Sequence, residues 1–335
     1  MKTHVLGVPL LALVSAGALA TGCGGQSVNV QSLPLAETFD ECAAGFSMND
    51  EVSTVECTGG RLRILVSKPQ ISPIHYVPFR FEPSVPGLTV ASSVRLEKGV
   101  GDFGIGCDAS EPGEAGRGYL FVLQSQLEAA AVLRLDETGG LPWIAFKRID
   151  ADLGRPHRLE ATCTPAANGA TALRLSVDDR VVLDAVDEEG IGSFRTALAV
   201  ALARAPGTEV RLENLSARST AARPRAVTPS ARPRRYRYRI DALGYDGRPL
   251  GTVSLGDEFL VAVSAPDLPL GQEVRFRLCV DHEARAVCTD ERLDGGSDYL
   301  TGWTVDPGEQ VDGQLRLSVR VDGREVAHTS ALLNG

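Results

Sequence analysis

Cysteines are the side chains of this 335-residue sequence best able to do chemistry. There are seven: Cys23, Cys42, Cys57, Cys107, Cys163, Cys279 and Cys288. Two acid clusters come next, Asp178–Asp179 and Asp187-Glu188-Glu189, with five scattered histidines that include His75 and His157. Thiols pair, bind metal or attack; paired carboxylates exchange protons. Zinc is excluded first, because no C-x-x-C exists and no two histidines stand at ligand spacing. G-x-S-x-G and H-E-x-x-H are also absent, so serine hydrolase and zinc protease chemistry have no support. Gly104-Ile105-Gly106 falls inside an expected strand with no helix after it, so it is not a phosphate loop. Both acid clusters fall in expected turns and read as solvated loop acids. The histidines lack a neighbouring nucleophile and read as structural or solvated.

The first cysteine belongs to an address. Val5 to Ala20 is almost wholly apolar and follows Lys2 and His4. It is shorter than the ~20 apolar residues of a spanning helix, so it reads as a signal segment, residues 1–22. Ala20-Thr21-Gly22-Cys23 resembles the bacterial lipobox, although Ala20 stands where Leu is commonest. The resemblance implies a lipid on Cys23 and an exported, membrane-anchored protein. The rival reading is an ordinary secretory signal that leaves Cys23 as a free thiol. Gly24 rather than Asp after the lipid site favours the outer membrane or cell surface. Residues 23–34 then form a tether rich in Gly, Ser, Gln and Asn.

With Cys23 lipidated, six thiols remain in an oxidising compartment, an even number that permits about 15 connectivities. Locality favours Cys42–Cys57, Cys107–Cys163 and Cys279–Cys288.

Composition sets the class. The chain is 43% hydrophobic, with 35 Gly, 19 Pro and few helical patterns, which favours an all-β fold in two domains. A net charge of -9 argues against nucleic acid as a partner. From residue 35 to 218 the pattern is short alternating or apolar runs between turn residues. Arg174 to Leu183 is a hairpin signal, with β-branched runs flanking the Asp178–Asp179 turn. Residues 219–235 are an Arg/Pro-rich linker, part of a stretch from Arg218 to Arg239 that holds eight Arg and no acid. Its functional reading is a basic patch for anionic lipid or polysaccharide; the favoured one is a solvated connector. Residues 236–335 carry seven expected strands, a turn at Asp322-Gly323 and Trp303 as a core candidate. They read as an immunoglobulin-like sandwich, in which Tyr236, Tyr238 and Ile240 share one face. Cys279 and Cys288 flank a tight turn, so a cross-strand bond suits them.

Residues 35–218 resemble the concanavalin-A-like (laminin-G/lectin/glucanase) jelly rolls. Ala36-Glu37-Thr38-Phe39-Asp40 resembles their first strand and Gly59-Gly60-Arg61-Leu62-Arg63-Ile64 their second. Gly104-Ile105-Gly106-Cys107 with Gly118-Tyr119-Leu120-Phe121-Val122 resembles the central pair. Segments from His157 to Cys163, Leu175 to Asp178 and Val210 to Leu215 resemble the last strands. The resemblance implies that the strands of Cys107 and Cys163 are neighbours and that Cys42–Cys57 closes the first loop. Glucanases of this fold carry E-x-D-x-E on one strand, and that pattern is absent. Calcium sometimes occurs in such domains, yet no D-x-D-x-D-G loop is present, so no cofactor is expected. Trp143, after Gly139-Gly140-Leu141-Pro142, is either a core residue or a sugar-stacking platform at a strand edge. Tyr119 and Phe121 share a face and read as core.

The expectation is a non-catalytic envelope lipoprotein whose modules bind a glycan or a protein. Two alternatives stand beside it. One is a glycan-active hydrolase using acids from separate strands; the other is a structural spacer or assembly factor.

Overall fold

The computed structural model describes residues 31–40, 48–49, 51–70, 74–110, 116–136, 141–220, 236–244, 248–254, 258–269, 272–282, 285–295, 297–304 and 313–334. Cys23, Cys42, the signal segment and residues 221–235 of the linker lie outside them. The chain divides into two compact units at Arg225, except that Ala145–Arg148, the end of one strand of the first unit's sheet, groups with the second.

The first unit is built of strands β1 (Leu35–Glu37), β2 (Met48–Asn49), β3 (Ser53–Cys57), β4 (Leu62–Val66), β5 (Ile74–Val85), β6 (Leu88–Lys98), β7 (Gly101–Asp108), β8 (Gly118–Gln124), β9 (Ala129–Leu135), β10 (Trp143–Arg148), β11 (His157–Pro165), β12 (Thr171–Val177), β13 (Arg180–Asp187), β14 (Phe194–Ala203) and β15 (Thr208–Ser219). They form two sheets. One has nine strands, ordered β13-β12-β11-β6-β15-β4-β3-β2, with β1 also on β15. The other has six, ordered β10-β9-β8-β7-β14-β5. Alternation sends Phe103, Ile105, Tyr119 and Phe121 of the smaller sheet, and Leu62, Ile64, Leu159 and Leu175 of the larger, into a shared core where all are fully buried or nearly so. The outward face of the larger sheet is charged. Arg63 pairs with Glu56 and Glu209, Arg61 with Glu213, and Arg174 with Asp184.

Cys107 and Cys163 are bonded, with their Cα atoms 6.7 Å apart. The expectation that their strands are neighbours is corrected here: β7 belongs to the six-stranded sheet and β11 to the nine-stranded one. The bond crosses the core from sheet to sheet, and both cysteines are fully buried. Cys57 is disulfide-bonded, but its expected partner lies outside the described residues. The Asp178–Asp179 turn joins β12 to β13 with both φ values positive, 49° and 64°, the two-residue hairpin geometry that favours Asp, Asn and Gly. Strands β2 and β3 were not expected from the sequence.

The second unit contains β16 (Arg239–Leu243), β17 (Thr252–Ser254), β18 (Glu258–Ser264), β19 (Glu273–His282), β20 (Arg285–Asp294), β21 (Tyr299–Thr304), β22 (Gly313–Val321) and β23 (Arg324–Asn334). It is a sandwich of a three-stranded sheet, β16-β18-β21, and a five-stranded sheet, β17-β23-β22-β19-β20. Ile240, Val261, Phe276, Leu278, Leu317 and Trp303 share its core, with Tyr236 and Tyr238 packed against it. Eight strands rather than seven are described. The extra one, β17, is three residues long and pairs in parallel with β23. Cys279 and Cys288 are bonded and sit directly opposite one another on β19 and β20. Phe276, Leu278 and Val280 take the inward positions of β19, so Cys279 lies on the other side of the strand with Arg277, which pairs with Asp290; the Cys279 side chain is nonetheless fully buried.

Candidate functional site

Register fixes which side chains share the outward face of the six-stranded sheet. On β7 the inward residues are Phe103, Ile105 and Cys107, so Asp102, Gly104, Gly106 and Asp108 point out. Leu120, Gly106, Leu198 and Pro78 lie in one row across β8, β7, β14 and β5, and Leu133 of β9 extends it. Arg134 N–H donates to the Pro142 carbonyl oxygen at 2.9 Å, which sets Trp143 opposite Leu133 and completes the row on β10. The next row holds Ala131, Val122, Gly104, Val200 and Tyr76.

The floor of this face is therefore aliphatic and glycine-lined, and an aromatic side chain stands at each edge. Trp143 is half-buried on edge strand β10. Tyr76, 43% exposed, is on edge strand β5. Five strand spacings of about 4.8 Å separate those edges, roughly 24 Å in all. A Cβ added at Gly104 would collide with the Phe121 carbonyl oxygen, and one at Gly106 with the Tyr119 carbonyl oxygen. Only glycine fits those two places.

Polar groups close both ends of the floor. At one end Asp108, Thr196 and Arg80 follow one another across β7, β14 and β5. Asp108 accepts from the Ser110 hydroxyl at 2.7 Å. The Thr196 hydroxyl is buried without a hydrogen-bond partner. Burial, helped by the Asp108 charge, raises the Tyr76 phenol above its ordinary value, while Arg80 draws it back. At the other end Asp102 accepts from Gln124 at 3.0 Å and from Arg204 at 3.1 Å, and the Gln124 carbonyl oxygen is buried unpaired. Burial dominates at Asp102 and raises its carboxyl, against the pull of Arg204.

Carboxylates of β7 do not form a hydrolytic pair. Asp102 and Asp108 are six positions apart on one strand, about 20 Å at ~3.3 Å per residue. Glycosidase acid pairs lie roughly 5–10 Å apart.

The acids and histidines singled out in the sequence have structural work elsewhere. Asp187, expected as a solvated loop acid, is instead buried at the end of β13. It accepts from the Tyr119 hydroxyl at 2.8 Å and pairs with Arg134, which also meets Glu189. Tyr119 and Arg134 point inward from neighbouring strands, so the cluster ties the two sheets together. Burial in particular holds the Tyr119 phenol far above its usual range. Asp178 is likewise engaged, bonded to His157. His157 is fully buried. His75 faces the inward side of β5 with Val77 and Phe79. Tyr119 and Phe121 are core residues, as expected. Trp143 is a partly exposed edge residue rather than a core one. Among the described residues no cluster of three His, Cys, Asp or Glu side chains is placed to hold a metal ion.

Tyr76 was missed in the sequence, although a signal was available. In His75-Tyr76-Val77-Pro78-Phe79-Arg80 the apolar residues Val77 and Phe79 alternate with the outward Tyr76, Pro78 and Arg80. A proline inside a strand marks an edge.

No protein-family model matches the chain, and no curated protein matches it. Solved structures of similar shape include the carbohydrate binding module CBM66 from Bacillus subtilis, 15% identical over 57% of this chain and 99% of that one, with a TM-score of 0.35. The potassium-bound carbohydrate recognition domain of Emp46p is 15% identical over 52% of this chain and 94% of its own, with a TM-score of 0.37. A prokaryotic beta-1,3-1,4-glucanase (lichenase) derived from a mouse hindgut metagenome is 12% identical over 56% and 99%, with a TM-score of 0.41. Likenesses at this level assign no activity.

Proposed function

We propose that the protein is a non-catalytic, exported envelope lipoprotein that binds an extended glycan at the exposed aromatic edges of the outward face of its six-stranded sheet. One observation carries the reading: Tyr76 and Trp143 stand at opposite edges of a single sheet face, each partly exposed. Aromatic faces stack on sugar rings, and a spacing of roughly 24 Å suits a chain of sugars better than one. Asp108 and Arg80 beside Tyr76, both partly exposed, offer carboxylate and guanidinium partners to sugar hydroxyls. The wide separation of Asp102 and Asp108, with Asp102 already ion-paired, favours binding over hydrolysis. Disulfides at Cys107–Cys163 and Cys279–Cys288 fit an oxidising compartment. We read Cys23 as the lipid attachment site and the second unit as an immunoglobulin-like spacer.

A glycan array with the chain lacking residues 1–23 tests the proposal. Binding to at least one oligosaccharide is expected, weakened about tenfold or more by Tyr76→Ala or by Trp143→Ala, a loss of ~1.4 kcal/mol. Binding that survives both substitutions together would place the ligand elsewhere. The anchor has its own test: Cys23→Ser should release the protein from the membrane fraction.

A further inference from the structure

The five-stranded sheet of the second unit carries a row of chemistry-bearing side chains on its outward face. Cys288, Cys279, Ser318 and His328 stand opposite one another across β20, β19, β22 and β23. Leu278, Leu317 and Val319 take alternate positions in the core, so the row lies on the other side of the sheet. The two sulfurs are unlike. Cys288 is exposed on β20, the last strand in the sheet order, while Cys279 is fully buried. Beside Cys279, Ser318 is also fully buried, and its hydroxyl has no hydrogen-bond partner among the described residues. A buried hydroxyl left unpaired is costly and calls for an explanation.

Ion pairs roof this row. Asp281 and Arg316 are paired on one side of it; Asp290, Arg277, Arg320 and Glu325 follow one another on the other side. Yet Arg316 meets Glu325 at 2.6 Å, and Arg320 reaches Asp281 at 3.9 Å. Both pairs therefore cross the row diagonally, one between Ser318 and His328 and the other between Cys279 and Ser318. Arg277 and Asp290 are 2.7 Å apart, and His328 is 3.1 Å from Glu325.

We propose that Cys279–Cys288 is a thiol–disulfide exchange site whose substrate is a thiol. A substrate thiolate attacks the exposed Cys288 sulfur. The bond between the two cysteines breaks, its electron pair stays on Cys279, and the substrate is left in a mixed disulfide with Cys288. A second substrate thiolate attacks the first substrate sulfur, and the electron pair of the mixed disulfide stays on Cys288. The two cysteine thiolates take up the two protons that the substrate thiols gave up. Two thiols are thus oxidised to one disulfide, and Cys279–Cys288 is reduced to a dithiol. Exchange is faster when the leaving sulfur is the more stable thiolate. The Ser318 hydroxyl donates to the departing Cys279 sulfur, and the guanidinium groups of Arg316 and Arg320 lie over the same row. The unpaired hydroxyl thereby gains its partner. Strands β19 and β20 are paired along their whole length, so the hairpin outlasts the cut bond.

The experiment treats the purified, oxidised full chain with glutathione and, separately, with an extended peptide bearing one cysteine. Peptide mapping should find the acid-trapped mixed disulfide on Cys288. Exchange should be about tenfold faster in the folded protein than at the same bond in urea, where access is greater but Ser318 and the arginines are no longer in place. Ser318→Ala should slow exchange about tenfold, the loss of one hydrogen bond to a charged group. A measurement separate from rate is the ultraviolet absorbance of the Cys279 thiolate in Cys288→Ser. It should appear at a pH below the ordinary thiol value of ~8.5, and Ser318→Ala should move it back up. If Ser318→Ala does not fold, the position of the mixed disulfide and the comparison with urea decide in the unaltered chain. Faster reaction with glutathione identifies a small thiol as the substrate, and faster reaction with the peptide a protein thiol. A mixed disulfide on Cys279, exchange no faster folded than unfolded, or a Cys279 thiolate indifferent to Ser318→Ala would each overturn the proposal.

Discussion

Asp178 and His157 meet across a hairpin turn: the Asp178 Oδ2 atom lies 2.9 Å from the His157 Nδ1 atom. The other ring nitrogen, Nε2, is 2.8 Å from the Asp152 carbonyl oxygen. The carboxylate and the carbonyl thus hold the buried ring from both sides. The Asp178 carboxylate also accepts from the Arg158 N–H at 3.0 Å and stands 3.4 Å from Arg155. These bonds tie the turn of the β12–β13 hairpin to the start of β11.

Losing His157 should cost more than losing the Asp178 charge. His157→Ala leaves a cavity and is expected to lower stability by roughly 2–4 kcal/mol. Asp178→Asn keeps the turn conformation, and because the carboxylate is partly exposed it should cost under about 1 kcal/mol. Urea unfolding of both variants decides the order.

Acid should unlock this hairpin and the charged outer face together. Despite partial burial, His157 and Arg158 pull the Asp178 carboxyl below its ordinary value. Arg63 foremost does the same for Glu209, a nearly buried carboxylate on β15. A carboxyl lowered in the folded state contributes stability that is present above its unfolded value, ~4, and lost as pH falls through the folded one. Asp102 has the opposite sign: its raised carboxyl favours the folded state at low pH and opposes it as pH rises. Thermal melts from pH 6 downward should therefore fall less steeply in Glu209→Gln and more steeply in Asp102→Asn than in the parent.

Tyr119→Phe removes the hydroxyl that donates to Asp187 and should cost about 1–2 kcal/mol, since Arg134 still pairs with the buried carboxylate. Asp187→Ala takes the buried carboxylate from both Tyr119 and Arg134, leaving Arg134 only the exposed Glu189, and should cost about 3 kcal/mol or more. Equal losses in denaturant unfolding would show that the two residues act only as packing.

The two described disulfides should separate by both energy and accessibility. The closed chain between Cys107 and Cys163 spans 56 residues, and that between Cys279 and Cys288 spans 9. Loop entropy assigns about 4 and about 3 kcal/mol respectively. Cys279 is buried but its partner Cys288 is exposed, whereas Cys107 and Cys163 are both fully buried. Mild reductant followed by thiol labelling should mark Cys279 and Cys288 first, with the first unit still folded.

Local rules carried much of the fold and little of the site. Alternation in Val90 to Leu96 and Arg174 to Leu183 placed strands where they are, and Asp-Asp and Asp-Gly turns placed two hairpins. Short β17 has too few residues to show a period. Cys107 and Cys163 were paired correctly but positioned wrongly, because adjacent strands and facing sheets can both bring two Cα atoms within bonding distance. Tyr119-Leu120-Phe121-Val122-Leu123 is apolar at every position, so no alternation told which of its faces met the other sheet. Tyr76 and Trp143 are 67 positions apart in the sequence; only the order of the six strands makes them the two edges of one face.

The bond from Cys107 to Cys163 also has a bearing on survival among proteases. Strands β8, β9 and β10 all lie between its two ends, inside one covalent ring. A single cut in any connection within that ring leaves both pieces joined, with the sheet-to-sheet clasp intact. On a non-reducing gel such a nicked molecule would run as one chain, and only reduction would reveal that it had been cut.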